Sequence, residues 1–330
     1  MKPRIVTLVC LFTLAFSSVF ANDDDNLVEK TKTYTKSYTV SSSDRISLEN
    51  QFGEMKINTW DKNEIRVDVK IVTKGSTDEI AQKILDNIYI EDSKTGSEVS
   101  FETKMRNKNM NWNNDNEKKY KEMGMKIDYI VSLPATNQLS ATNQFGPMSI
   151  TDFRGPVTLI SKFGSLTAGK LSNVKEVDVE FGEGSIESVT GGKLTVKFSK
   201  AEIKNVYGNV VARIEFCDKL KIGLDNNTKD LDIKSSYSTL YLDAASNLSS
   251  SISIKTSFGD FDNKTSFNIK KEGDDDDEKY GPKFDKQFSG NAGAGANKLK
   301  VRSDFGGVIL GHNLQVDMSS KDKNKNKVKV

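Results

Sequence analysis

His312 is the only histidine of the 330-residue chain, and Cys10 and Cys217 are its only cysteines, so side chains able to do metal or nucleophilic chemistry are few. A metal site rich in His or Cys needs more ligands than these. His312 follows Gly311 near the C-terminus with no partner motif, which reads as a surface histidine and not a general base. Cys217 stands directly after Phe216, where most related segments have glycine, which reads as a structural thiol. Acid–base hydrolysis needs two carboxylates at a set separation. Asp218, Asp225, Asp232 and Asp243 are candidates, but their spacing is no better than the repeat described below requires. Asp274-Asp275-Asp276-Asp277-Glu278 offers oxygen ligands of the kind Ca²⁺ takes, yet lacks the glycine and ligand spacing of an EF-hand loop, and reads as a solvated acidic loop. Gly290 to Gly295 is no phosphate loop, because no Lys-Ser/Thr pair follows it. Trp112, inside the Asn-rich stretch 107–116, is the one candidate ligand contact, as a glycan-stacking residue. No catalytic, cofactor-binding or metal-ligating residue is assigned.

These residues must be positioned by a thin, repetitive architecture. Lys and Arg number 48 against 46 Asp and Glu, with 36% hydrophobic residues, a balance that gives no signal for nucleic acid. Lys2 and Arg4, an apolar run from Ile5 to about Phe16, and Val19-Phe20-Ala21 together read as a secretory signal over 1–21. Val9 before Cys10 argues against a lipoprotein. No other stretch approaches the length of a membrane span, so none is expected after cleavage. Cys217 is then the only cysteine left, which excludes an intrachain disulfide.

An internal repeat dominates the rest. Gln51-Phe52-Gly53-Glu54-Met55 returns as Gln144-Phe145-Gly146-Pro147-Met148 and as Lys162-Phe163-Gly164. Related aromatics follow at Phe181, Phe198, Phe216, Tyr237, Phe258 and Phe305. From Phe145 to Phe258 the steps are 17–21 residues. Each aromatic closes an alternating run, such as Val157, Leu159, Ser161, Phe163, so a strand with one inward face is expected. A unit this short cannot bury its face alone, whereas stacked units can. The fold expected is all-β: a single-stranded right-handed parallel β-helix, or β-solenoid, with rungs of 17–21 residues and one short helix near the N-terminal part. On this reading the aromatics form an internal stack, and replacing Phe181 by Ala opens a core cavity worth about 3–5 kcal/mol. Asn50, Asn143, Ser161, Ser235, Thr256 and Ser303, two places earlier, form a polar ladder that satisfies its own hydrogen bonds. The Phe216 unit slips by one residue, to Leu220 and Ile222.

Ile80, Ile84 and Ile88 predict a helix over about 76–88, with Ser76 and Glu79 as its capping box. The expected organisation is a signal peptide (1–21), a lead-in segment (22–43), a solenoid domain (44–317) with an acidic excursion at 271–297, and a Lys-rich tail (318–330).

Leu48-Glu49-Asn50-Gln51-Phe52-Gly53, followed by Ile57-Asn58-Thr59-Trp60-Asp61, resembles the bacterial "putative adhesin", or toast-rack, β-solenoid families of unknown function, and so does Phe288-Ser289-Gly290 through Phe305-Gly306-Gly307-Val308. The resemblance spans about Asp44 to Leu310. It implies an exported surface or envelope protein and carries over no catalytic residue. The expectation is a non-catalytic protein of the periplasm, outer-membrane surface or medium that binds an extracellular or envelope glycan or protein through its solenoid surface, without nucleic acid or cofactor. Outward charges such as Lys175, Asp178, Glu180, Lys197, Glu215 and Lys234 suit such a surface and equally suit an ordinary solvated face. The alternatives are a polysaccharide-cleaving β-helix enzyme and a self-assembling envelope component.

Overall fold

The computed structural model describes residues 27–107, 124–273 and 284–319, and divides into two compact units, Met1–Pro156 and Val157–Val330. The signal sequence, most of the Asn-rich stretch with Trp112, the run Asp274–Glu278 and nearly all of the Lys-rich tail lie outside the described residues.

The first unit holds β1 (Val28–Thr39), β2 (Arg45–Gln51), β3 (Met55–Trp60), β4 (Glu64–Gly75), α1 (Asp78–Asn87), β5 (Ile88–Thr95), β6 (Glu98–Met105), β7 (Gly124–Pro134), β8 (Gln138–Gln144) and β9 (Met148–Ile150). Its pairing is mixed. β2 lies parallel to β6 and β8, and β3 parallel to β7 and β9. β4 runs antiparallel to β1 and β7, and β5 antiparallel to β6. Strict alternation in β4 buries Ile65, Val67, Val69 and Ile71 and leaves Arg66, Lys70 and Lys74 outside. Residues of the lead-in form β1, whose Tyr34 and Tyr38 hydroxyls both donate to the Asp92 carboxylate on β5.

The helix forms where its stripe predicts, with the cap one residue later than expected. Thr77 is extended and its hydroxyl accepts the Ile80 amide, while Asp78 and Glu79 sit in the first turn. Ala81, Ile84 and Leu85 face inward, and α1 packs on β4 and β1. Ser76, the cap expected from sequence, has a buried hydroxyl with no partner.

The second unit holds β10 (Val157–Lys162), β11 (Ser165–Leu171), β12 (Val174–Glu180), β13 (Glu183–Lys197), β14 (Lys200–Ile203), β15 (Val206–Glu215), β16 (Leu220–Leu224), β17 (Thr228–Ser236), β18 (Thr239–Ala244), β19 (Ser250–Ser257), β20 (Phe261–Asn263), β21 (Asn268–Glu272), β22 (Asp285–Ala292), β23 (Asn297–Asp304) and β24 (Gly307–Gly311). Two parallel ladders run through it. One joins β10, β12, β13, β15, β17, β23 and β19 in that order. The other joins β11, β13, β14, β16, β18, β24 and β20. One inward row is apolar throughout: Leu159, Val177, Leu194, Ala212, Ile233, Val301 and Ile254 are in register and no more than 1% exposed. Ala201 pairs with Leu220, so the extra residue after Phe216 is absorbed before β16 starts.

The described residues are thus all-β with one short helix, but their pairing departs from a purely parallel, sequential stack. β23 inserts between β17 and β19 and β24 between β18 and β20, strands that precede them in the chain, and β22 and β21 add antiparallel strands to β19.

Candidate binding surface

The repeated aromatics do not point inward. All nine, from Phe52 to Phe305, have φ between 48° and 64°, the left-handed region. This conformation costs a non-glycine residue roughly 1–2 kcal/mol. It turns the chain from one ladder to the other and swings the side chain out of the alternation that would have buried it. In the second unit the rings are 46–52% exposed. The expected internal stack is therefore an external one, and the cavity estimate for Phe181 falls with it.

The stack itself is real. In the first unit Phe52 lies on Phe145, with centroids 5.2 Å apart and planes 7° from parallel. In the second, Phe163, Phe181, Phe198, Phe216, Tyr237, Phe305 and Phe258 follow one another at 4.8–4.9 Å, each within 5° of parallel. Phe284 ends the column 4.5 Å from Phe258. Seven such steps make roughly 34 Å, at the spacing of β-strands in a sheet. Each aromatic amide also donates to the next rung: Phe181 to Lys197, Phe198 to Glu215, Phe216 to Ser236, Tyr237 to Asp304 and Phe305 to Ser257. Stacking and these bonds offset the backbone strain.

The glycine after the aromatic is required by contact. A Cβ on Gly182 would lie 1.7 Å from the Gly164 carbonyl oxygen. Where a side chain is present it bonds to the corner itself. Ser199 Oγ accepts the Gly182 amide and donates to Lys197 O, and Ser238 Oγ accepts the Cys217 amide. Cys217 Sγ is buried against Val196 O and Glu215 O, and burial pushes its thiol pKa up, which suits a structural thiol.

The polar ladder behind the aromatics divides. Asn50 Nδ2 donates to Asn143 Oδ1 and Ile127 O, and Asn143 Nδ2 reaches the carbonyls of Gly53, Gly146 and Pro147. The expected satisfaction holds there. It fails in the second unit, where Ser161, Ser235, Thr256 and Ser303 are buried with no hydrogen-bond partner and Val179, Val196 and Ile214 interrupt the row.

Charges flank the column unevenly. Next to its first rings Glu180 is held by Lys162 at 3.1 Å and Lys197 at 3.2 Å. Burial opposes the charge on Glu180, but hydrogen bonds from these two lysines outweigh it and lower the carboxyl pKa. Asp178, two residues earlier, goes the other way. Burial, then Glu180, push its pKa up to about 6 against the pull of Lys197 and Lys162, and its Oδ1 has no partner. Next to the later rings stand Ser236, Asp304 and Ser257.

Three of the candidate carboxylates of the hydrolytic alternative have partners of their own. Asp225 accepts the Asn227 amide in its own turn, Asp232 faces Lys300 at 3.7 Å, and Asp243 faces Lys221 at 3.2 Å and accepts the Leu314 amide. His312 Nδ1 lies 2.7 Å from Ala244 O with its ring edge-on to Phe267. The exposed aromatic column is the feature that sequence reading placed on the wrong side of the wall. The nine-fold aromatic–small pairing was its signal, but nothing local marks a phenylalanine as left-handed.

No family model and no curated protein matches the chain. Among solved structures it is similar to a "putative cell adhesion protein" from Clostridium sporogenes, at 14% identity over 86% of this chain and 100% of that one, with a TM-score of 0.25. A "putative adhesin" from Bacteroides fragilis matches at 12% over 84% and 97%, and a "putative lipid binding protein" from Parabacteroides distasonis at 12% over 84% and 96%, both with TM-scores of 0.31.

Proposed function

We propose that this is an exported, non-catalytic surface or envelope protein that binds a glycan or protein along the outer face of a right-handed β-solenoid. The observation that carries the reading is the column of half-exposed rings. About half of the ~200 Å² that an aromatic side chain presents, over eight rings, is on the order of 800 Å² of contiguous apolar surface. Monomeric proteins rarely expose more than a few hundred Å² in one patch, and larger ones mark interaction sites. Export rests on the N-terminal 21 residues, and the right hand on crossover chirality. The final strand of the antiparallel series, β21, carries Lys270, Lys271 and Glu272, charges that discourage edge-to-edge pairing and favour a binding surface over end-to-end assembly.

The test is a binding screen of the chain from Asn22 onward on envelope and host glycans and matrix proteins, with bound glycans assayed for cleavage. Saturable binding without product is expected. Product release would overturn the non-catalytic reading, and silence on every surface would overturn the binding reading. Mass analysis of the protein recovered from cells should place its N-terminus at Asn22.

A further inference from the structure

The column is bordered differently along its length, and the difference forms a site. On the first ladder, the residue before each aromatic and the residue two places earlier face outward in rows across the rungs. Beside Phe163, Phe181, Phe198 and Phe216 the nearer row is Lys162, Glu180, Lys197 and Glu215, long side chains closed by ion pairs, including Arg213 to Glu215 at 2.6 Å. Beside Tyr237, Phe305 and Phe258 the nearer row is Ser236, Asp304 and Ser257, which are short. The farther row is Lys234, Arg302 and Lys255, one cation per rung and in register. A floor of short residues therefore runs along the stack between a wall of ring edges and a row of cations.

The charges are only partly compensated. Arg302 meets Asp304 at 3.4 Å and Lys255 meets Asp285 at 3.8 Å. Lys234 is exposed and makes no ion pair among the described residues. The strip keeps a net positive charge.

We propose that this strip binds an extended acidic glycan lying across the rungs. The inference rests on the surface-binding reading above and names the ligand class. Ring faces in the column are consumed by stacking, so only ring edges are offered, and they suit the apolar flank of a sugar chain lying lengthwise. Carboxylate or sulfate groups on the chain meet Lys234, Arg302 and Lys255 in turn, with the Arg302 guanidinium able to hold an acidic group through two parallel bonds. A cation repeated once per strand matches a polymer that repeats its charge along its length. A neutral glycan would leave the cations unused.

The experiment is titration of the chain from Asn22 onward with fluorescent oligogalacturonate, heparin oligosaccharide and uncharged cello-oligosaccharide. An anionic oligosaccharide should bind and the neutral one should not, and binding should weaken with salt. The triple variant Lys234→Gln/Arg302→Gln/Lys255→Gln should lose about ten-fold or more in affinity. Phe305→Asn, which removes a ring but tolerates the left-handed backbone, should weaken binding as well. Lys193→Gln/Lys204→Gln, ion-paired lysines outside the strip, should change little, and circular dichroism should show every variant folded. The relative affinity of the two anions identifies carboxylate or sulfate as the preferred group. Equal binding by the neutral oligosaccharide, no binding by either anion, or an unaltered triple variant would overturn the proposal. If array ligands still bind while all three oligosaccharides fail, the strip is wrong and the broader reading stands. If both assays are silent, both are wrong.

Discussion

The two units build the same corner with different interiors. In the first, asparagines stand behind the aromatics and their amides reach backbone carbonyls of the turn and the neighbouring strand. In the second, serine and threonine at the same place are too short to reach them, and their hydroxyls stay buried and unpartnered. Outside, both units show stacked rings on left-handed residues. The corner is therefore specified by the aromatic, the small residue after it and the bonds between rungs, while the inner polar residue contributes only where its side chain is long enough.

Five substitutions break or sharpen this comparison. The largest effect belongs to the true core. Leu194→Ala, at a fully buried position, should cost about 3–5 kcal/mol, while Phe181→Ala should cost only about 1–2 kcal/mol, the value of two ring contacts and partial burial. Denaturant melts of the two variants compare inside with outside, and equal losses would refute the external column. Asn143→Ala should follow at about 3 kcal/mol, because it takes the amide partner from the Gly53 and Gly146 carbonyls, while Pro147 O keeps the Met55 amide.

Asp178 adds a pH signature. Its folded pKa of about 6 lies above the ordinary carboxyl value, so between about pH 4 and 6 the folded state binds more proton than the unfolded one. This group's contribution should make stability fall as pH rises through that window. Because the side chain is only half buried, solvent screening reduces the effect to about 1–2 kcal/mol. Asp178→Asn should abolish that slope and melt higher than the parent at pH 8. The smallest effect is expected at Ser303→Ala, neutral to about 1 kcal/mol stabilising, since the lost hydroxyl bonds to nothing. A clear destabilisation there would show that the hydroxyls of the second unit are satisfied after all and that the two interiors are alike.

Much of this was legible in the residues. Alternation marked the strands, and three isoleucines marked α1 because a stripe at helical spacing has one physical reading. The one-residue slip after Phe216 was visible as a shift of Leu220 and Ile222. The side on which the aromatics lie was not. A phenylalanine that ends an apolar alternation reads as inward, and only a positive φ, held by neighbours from other rungs, reverses it. The uneven border of the column was hidden for the same reason, because Lys234, Arg302 and Lys255 are distant in sequence.

The amino-acid order by itself determined the all-β class, the repeat length and the helix, since each follows from local periodicity and the need to bury one face. Tertiary structure decided the strand order, with β23 and β24 set between earlier strands, and it decided the outward turn of the rings. Strand pairing depends on which edges meet, and a left-handed aromatic is tolerable only once another ring and another carbonyl stand about one strand spacing away.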